Sequence, residues 1–357
     1  MIDFRYHLVS LISVFLALAV GIVLGAGPLR ENLGDQLAGQ VEQLRTEQEQ
    51  LRGDTEELSA KHDQLATFIA ELGPELVAGT LDGKQVAVLT DDSSTRSGTE
   101  RIVALLEEAG VGSAVQINLL PALWAPDAEP TRAEALQAIR SIAPAVLAED
   151  SDAALTDSAL LSAMIPMLLH GEGDGGLTPE LRTQLWQVLI DHDLVTVNGE
   201  MPVAVDGVIY ASAAPEELAD EKEDEQVATE RAQGLLTSQT ALLGELAGIG
   251  IPAVVSAATP GNDASTGILR TVRGDAGFDA VSTTDRLQEA DGPLLSVLAL
   301  IEQTRGGSGA YGTTGDAEDR LPALPETQGL EDQAAEQNGE GGAAEPGTQP
   351  SDGGGAE

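Results

Sequence analysis

The sequence predicts an α/β protein. A single N-terminal transmembrane helix and a parallel coiled coil lead into a doubly wound, mainly parallel (Rossmann-like) α/β domain, and a disordered acidic tail follows. Three observations carry this reading. Leu8 to Leu29 contains no charged residue. Leucines then recur at every seventh position, at Leu37, Leu44, Leu51, Leu58, Leu65 and Leu72. Beyond Gly73-Pro74 the pattern changes to short apolar runs alternating with helix-length segments, as in a parallel sheet with crossover helices.

The apolar stretch is long enough to span a bilayer. About 20 residues at roughly 1.5 Å each cross a hydrocarbon core of about 30 Å. A cleaved signal peptide would have an apolar region of about 7–15 residues and a small-residue cleavage site. Here the run is longer, and Leu24 and Pro28 spoil the cleavage pattern. The expectation is an uncleaved signal anchor over 8–29 behind a cytoplasmic leader, 1–7. Arg5 precedes the span, whereas Arg30 is followed at once by Glu31 and Asp35. The positive-inside bias therefore puts the amino terminus in the cytoplasm and the rest outside a cell membrane crossed once. Ala17, Gly21 and Gly25 recur every fourth residue, a small-residue face that lets two helices approach closely in lipid.

With the leucines at d, the a positions are Val41, Gln48, Thr55, His62 and Ile69. Sustained heptads with charged residues between them predict a coiled coil over 30–73, and so a homodimer. An amphipathic helix lying on its own domain is the competing reading. The polar a positions weaken the seam but favour one register and a low oligomer number. About 36 residues of coil span roughly 54 Å.

Composition excludes several functions. Eighteen Lys and Arg stand against 59 Asp and Glu, a formal net charge of -41. No basic stripe exists to neutralise phosphates, so nucleic acid is not an expected partner. An anionic leaflet would likewise repel the soluble part. There is no cysteine, hence no disulfide and no thiolate chemistry. Aromatics make up 3 %, too few for stacking platforms for sugars or bases.

From residue 80 to 327 the elements follow in order. Gly73-Pro74 is expected to stop the coil. Strands are predicted at Gln85–Thr90, Ala114–Leu119, Val195–Asn198, Val208–Ser212, Ala253–Ala257 and Ala280–Ser282. Helices are predicted at Thr99–Ala109, Thr131–Leu147 (broken near Pro144), Ala154–Leu169, Glu180–Asp191, Glu216–Leu246 and Leu294–Gln303. From Gln328 the chain is almost entirely Glu, Asp, Gly, Ala, Gln, Pro, Thr and Ser. Such a segment buries too little apolar surface to offset its ordering entropy, and 328–357 is expected to be disordered.

In doubly wound sheets, ligands bind beyond the carboxyl ends of the strands. Three such ends carry Ser, Thr and Asp: Thr90 to Thr95, Thr259 to Ser265, and Ser282 to Asp285. They could ligate a cation or a phosphate, although helix N-capping selects the same residues. Asp91 and Asp92 are the first choices for a site. The acid run from Glu216 to Glu225 reads as a solvated helix start. No dinucleotide fingerprint, P-loop or Gly-x-Ser-x-Gly elbow is present. His170 and His192 are the only histidines of the α/β region, and no enzyme is expected.

The opening MIDFRYHLVSLISVFLALAVGIVLGAGPL and the heptad coil behind it closely resemble the actinobacterial MctB-type family, the "copper transporter" or copper-transport outer-membrane proteins. GSGAYGTTGDAEDRLPALP, Gly307 to Pro325, looks like that family's closing Gly-Tyr-Gly and Leu-Pro segment. The resemblance implies copper homeostasis or transport across the cell envelope. Some members are linked instead to cell separation and cell-wall hydrolase control beside a membrane partner. That gives the alternative of a non-enzymatic scaffold. If copper is bound, Met164, Met167 and His170, three apart along a helix pattern, carry the thioether and imidazole chemistry Cu(I) prefers. Two core methionines and a histidine ending the helix is the plainer reading. A pore would need a closed barrel or several spans, and one apolar helix is at hand. An anchored coiled-coil protein is therefore expected rather than a channel by itself.

Overall fold

The computed structural model describes residues 4–147, 156–171, 177–201, 204–212, 225–259 and 267–325, with side chains of 24–38 left aside. Its contacts divide the chain into two units, Met1–Thr67 and Phe68–Glu357. The expected acidic tail, the residues between Ser212 and Glu225, and Pro260 to Ser265 lie outside the described residues.

The first unit is helical. Helix α1 runs Phe4–Val77, and its segment Phe4–Val23 is long and apolar enough to cross a membrane. Further along, Leu44, Leu51, Leu58 and Leu65 are 58–69 % exposed, so among the described residues of one chain nothing covers this part of the leucine stripe. Thr55, at an a position, donates its hydroxyl to the Leu51 carbonyl at 2.7 Å and is satisfied within its own helix. Lys61 and Glu57 form an i,i+4 ion pair at 2.7 Å on an exposed face.

The second unit is built on a seven-stranded sheet: β1 (Gln85–Thr90), β2 (Ser113–Leu119), β3 (Val195–Asn198), β4 (Gly207–Ser212), β5 (Ala253–Ala257), β6 (Val281–Thr284) and β7 (Ala310–Tyr311). Their order is β3-β2-β1-β4-β5-β6-β7. Every pairing is parallel except β2 with β3. The chain works outward from β1 to the β3 edge, then returns to lay β4 on the other side of β1, which makes β1/β4 the point where strand order reverses.

Alternation along the strands builds two cores. Ala87 and Leu89 of β1 join Val208 and Tyr210 of β4 in the larger one. Helices α3 (Glu129–Ile142), α4 (Asp157–Leu169), α5 (Pro179–Asp191), α6 (Glu225–Ile249) and α7 (Ile268–Gly274) contribute to it. Val86 and Val88 point the other way, into a second core with α2 (Arg96–Glu108) and α8 (Gly292–Thr304). Buried on both faces, β4 and β5 read as unbroken apolar runs. Strand β2 differs. Val115, Ile117 and Leu119 are buried, while Gln116 and Asn118 on its other face are only half-buried.

Several expectations need correction. The Gly73-Pro74 pair does not end the helix, which continues to Val77. Pro74 removes one backbone donor, a cost of about 3 kcal/mol in an ordinary helix interior. Tertiary packing offsets it: Val77 and Leu81 are fully buried, and a Cβ at Gly73 would stand 3.4 Å from Leu105 and 3.6 Å from Leu294. Helix α2 begins at Arg96 rather than Thr99, behind a 3₁₀ turn at Ser93–Thr95. Pro144–Leu147 is likewise a 3₁₀ turn after α3. Strand β6 extends to Thr284, and α7 and β7 were not anticipated.

Candidate binding site at the strand ends

Two adjacent carboxylates at the end of β1 do different work. Asp92 has extended backbone, and its side chain accepts from the Ser94 N–H at 2.7 Å, capping the 3₁₀ turn. Capping therefore accounts for Asp92. Asp91 follows the alternation of Ala87 and Leu89 into the larger core and is 4 % exposed. Its Oδ2 accepts from the Tyr210 hydroxyl at 2.6 Å, the Ser212 hydroxyl at 2.8 Å and the Gln239 amide at 2.8 Å. Gln239 also donates to Ser212 at 2.9 Å, closing a network across β1, β4 and α6 at the strand-order reversal. Burial, and then the Asp91 charge, push the Tyr210 phenol well above its ordinary pKa, so it stays a neutral donor.

Beside this network, on the α2 side of the sheet, lies a cleft of about 590 Å³. Thr90, Asp92 and Thr95 border it at the end of β1, Arg96 and Glu100 on α2, and Gln116, Asn118 and Asn198 on β2 and β3. The register opposes Gln116 to Asn198 directly. Asn118 donates to Thr196 at 2.9 Å, and the Thr95 hydroxyl donates to the Asp92 carbonyl at 2.7 Å. The sequence pointed to the Thr90–Thr95 wall. It did not point to Gln116 and Asn198, whose signal is a polar face on a strand of an otherwise apolar parallel sheet.

The Ser282–Asp285 cluster proves to be occupied by the chain itself. Asp285 is fully buried and accepts from the Thr313 N–H at 3.0 Å and from the Thr314 N–H and hydroxyl at 3.1 and 2.6 Å. Arg273 reaches Asp285 at 3.3 Å and Asp316 at 2.9 Å, and donates to the Tyr311 carbonyl at 2.9 Å. Burial would raise the Asp285 pKa, but the Thr314 and Thr313 hydrogen bonds and the Arg273 charge prevail and hold it below the ordinary carboxylate value. A Cβ at Gly312, where φ is +140°, would collide with this carboxylate, so glycine is required there. The cluster clasps the segment around β7, and its carboxylate is engaged by the protein's own donors.

A family model described as "Copper transport outer membrane protein, MctB" matches residues 1–322. The chain belongs to this family. Among curated relatives, the proteins named "Copper transporter MctB" of Mycobacterium bovis and Mycobacterium tuberculosis are 28 % identical over 119 residues. Those residues are 33 % of this chain, and the match spans 38 % of the length of either relative. Membership in the MctB family and the apolar helix together assign the chain to a membrane.

Membership directs attention to Met164, Met167 and His170. All three belong to α4 or its end. Met164 is 1 % exposed within the larger core, while Met167 and His170 are half-buried. The His170 N–H donates to the Pro166 carbonyl at 2.9 Å, so this residue closes the helix after an internal proline. Among the described residues, no three His, Asp or Glu side chains gather as a metal-binding group. The other histidine of this unit, His192, has Nδ1 2.8 Å from the Val188 carbonyl at the end of α5.

Proposed function

We propose that the chain is a single-pass, membrane-anchored envelope protein that serves copper homeostasis or transport as a homodimer, without being a pore by itself or an enzyme. The observation that carries this reading is the uncovered leucine stripe directly behind the apolar helix. Leucines 58–69 % exposed at heptad spacing call for a partner surface, and a second copy in parallel supplies an identical one. The anchor orients its amino terminus to the cytoplasm and the α/β head outward, following the charge bias around the span. The strand order β3-β2-β1-β4-β5-β6-β7 supports reading that head as Rossmann-like. Copper enters through the family description and the names of the mycobacterial relatives.

Burial of Met164 favours a second reading, because a core thioether is poorly placed to take up metal. In it the head is a scaffold that engages an envelope protein in cell separation or cell-wall hydrolase control. Deleting the chain's gene separates the two. Sensitivity to added copper with normally separating cells supports the copper role. Chained cells with unchanged copper tolerance support the scaffold and count against copper.

A further inference from the structure

The cleft beside β1 has two walls of complementary chemistry. On α2, Arg96 and Glu100 stand one helical turn apart and both line it. Residues so spaced commonly pair, yet these two form no ion pair with each other or with any described residue. On the sheet, the carboxamides of Gln116 and Asn198 lie opposite one another across β2 and β3, and neither has a side-chain hydrogen bond among the described residues. One cation, one anion and two amides, each able to donate or accept, are thus left unengaged around one volume.

That set narrows the ligand. A phosphate or another multiply charged anion would meet a single guanidinium among three acidic residues, Asp91, Asp92 and Glu100, which repel it. Cu(I) would find neither thioether nor imidazole in the lining. A base would find no aromatic surface on which to stack. A ligand with one carboxylate, one ammonium group and an amide between them matches the unengaged guanidinium, carboxylate and carboxamides, while Asp91 and Asp92, which also line the cleft, already accept from the protein's own donors. The volume, about 590 Å³, lies within the range of small-molecule pockets.

We propose that the cleft binds a short zwitterionic peptide. Arg96 takes its free carboxylate in a charge-assisted pair, Glu100 takes its ammonium group, and Gln116 and Asn198 hydrogen-bond its peptide unit. The site is independent of the leucine stripe and of copper, and gives the head a recognition role of its own.

Calorimetric titration of the full chain in detergent with alanyl-alanine tests this, using its N-acetyl and C-amide derivatives, maltose and inorganic phosphate for comparison. Saturable binding of the free dipeptide is expected, with blocking of either end weakening it about tenfold or more. Arg96→Gln should abolish the distinction between free and amidated carboxyl ends. Glu100→Gln should do the same for the acetylated amine. Both side chains are exposed on α2, so neither change threatens the fold. Absence of saturable dipeptide binding, equal affinity for blocked and free peptides, unchanged affinity in both variants, or tighter binding of maltose or phosphate would each overturn the proposal.

Discussion

Replacing Asp91 with alanine removes the acceptor on which Tyr210, Ser212 and Gln239 converge. The loss is unequal among the three. Gln239 keeps an acceptor in the Ser212 hydroxyl oxygen at 2.9 Å, whereas the Ser212 O–H loses the carboxylate to which it donates. The Tyr210 phenol is 1 % exposed, and its hydroxyl loses its bond to the Asp91 carboxylate. A hydrogen bond to a charged group contributes about 1.5–3 kcal/mol, and a stranded buried donor costs about 1–3 kcal/mol. Asp91→Ala should therefore destabilise the head by about 3 kcal/mol. For a domain of this size that lowers the melting temperature by roughly 6–12 °C. Tyr210→Phe deletes the donor instead and should cost nearer 1 kcal/mol, because Asp91 keeps its bonds to Ser212 and Gln239. In the double variant no phenol is left stranded, so the two costs should fall short of additivity by about 1–2 kcal/mol. The chain's two tryptophans, Trp124 and Trp186, are both buried in this unit, so their fluorescence reports its unfolding in the intact protein. Additive costs, within about 0.3 kcal/mol, would refute the reasoning, since they would mean that Asp91 and Tyr210 do not share a bond that matters.

The Arg273–Asp285 clasp gives an acid-dependent prediction. Its depressed carboxyl contributes stability that is complete above about pH 5 and is lost as pH falls through the ordinary value, about 3.9, toward the lower folded one. Asp285→Asn should cost about 3 kcal/mol near neutrality and flatten the loss of urea resistance on acidification, and parallel pH curves for variant and parent would count against it. Met164→Leu combined with Met167→Leu conserves volume, should cost under about 1.5 kcal/mol, and should leave Cu(I) binding in a competition titration unchanged. Loss of a stoichiometric Cu(I) with the fold intact would make these thioethers ligands. Leu51→Lys with Leu58→Lys places charges in each seam and should halve the mass seen by light scattering in detergent, whereas a parent chain already monomeric at tens of micromolar would remove the dimer.

Much of the sheet could be read from sequence because a strand buried on both faces is a continuous apolar run with polar or glycine punctuation. Gln85–Thr90 and Ala253–Ala257 fall where that pattern puts them, and the edge strand Val195–Asn198 shows instead the alternation of a half-exposed strand. Helix α7 is seven residues long, too short to display a period, and β7 is two residues fixed by Arg273 and the Asp319 backbone. Tyr210, Ser212 and Gln239 lie 119 to 148 residues from Asp91 along the chain, so the local sequence shows the carboxylate but not these partners. Asp92 behaved as the capping rule anticipates. The cleft's other wall is not legible locally, because Gln116 and Asn198 look like ordinary strand residues until the antiparallel register brings them together. At Gly73-Pro74 a local stop signal lost to burial of the turn that follows.

One complementation measurement addresses both the leucine stripe and copper. A deletion strain would receive either the parent chain or Leu51→Lys with Leu58→Lys, at equal membrane levels, and growth would be followed over a copper series. The account predicts that the parent restores copper tolerance and the lysine variant does not. Full restoration by the variant, or a deletion strain as copper-tolerant as its parent, would contradict it.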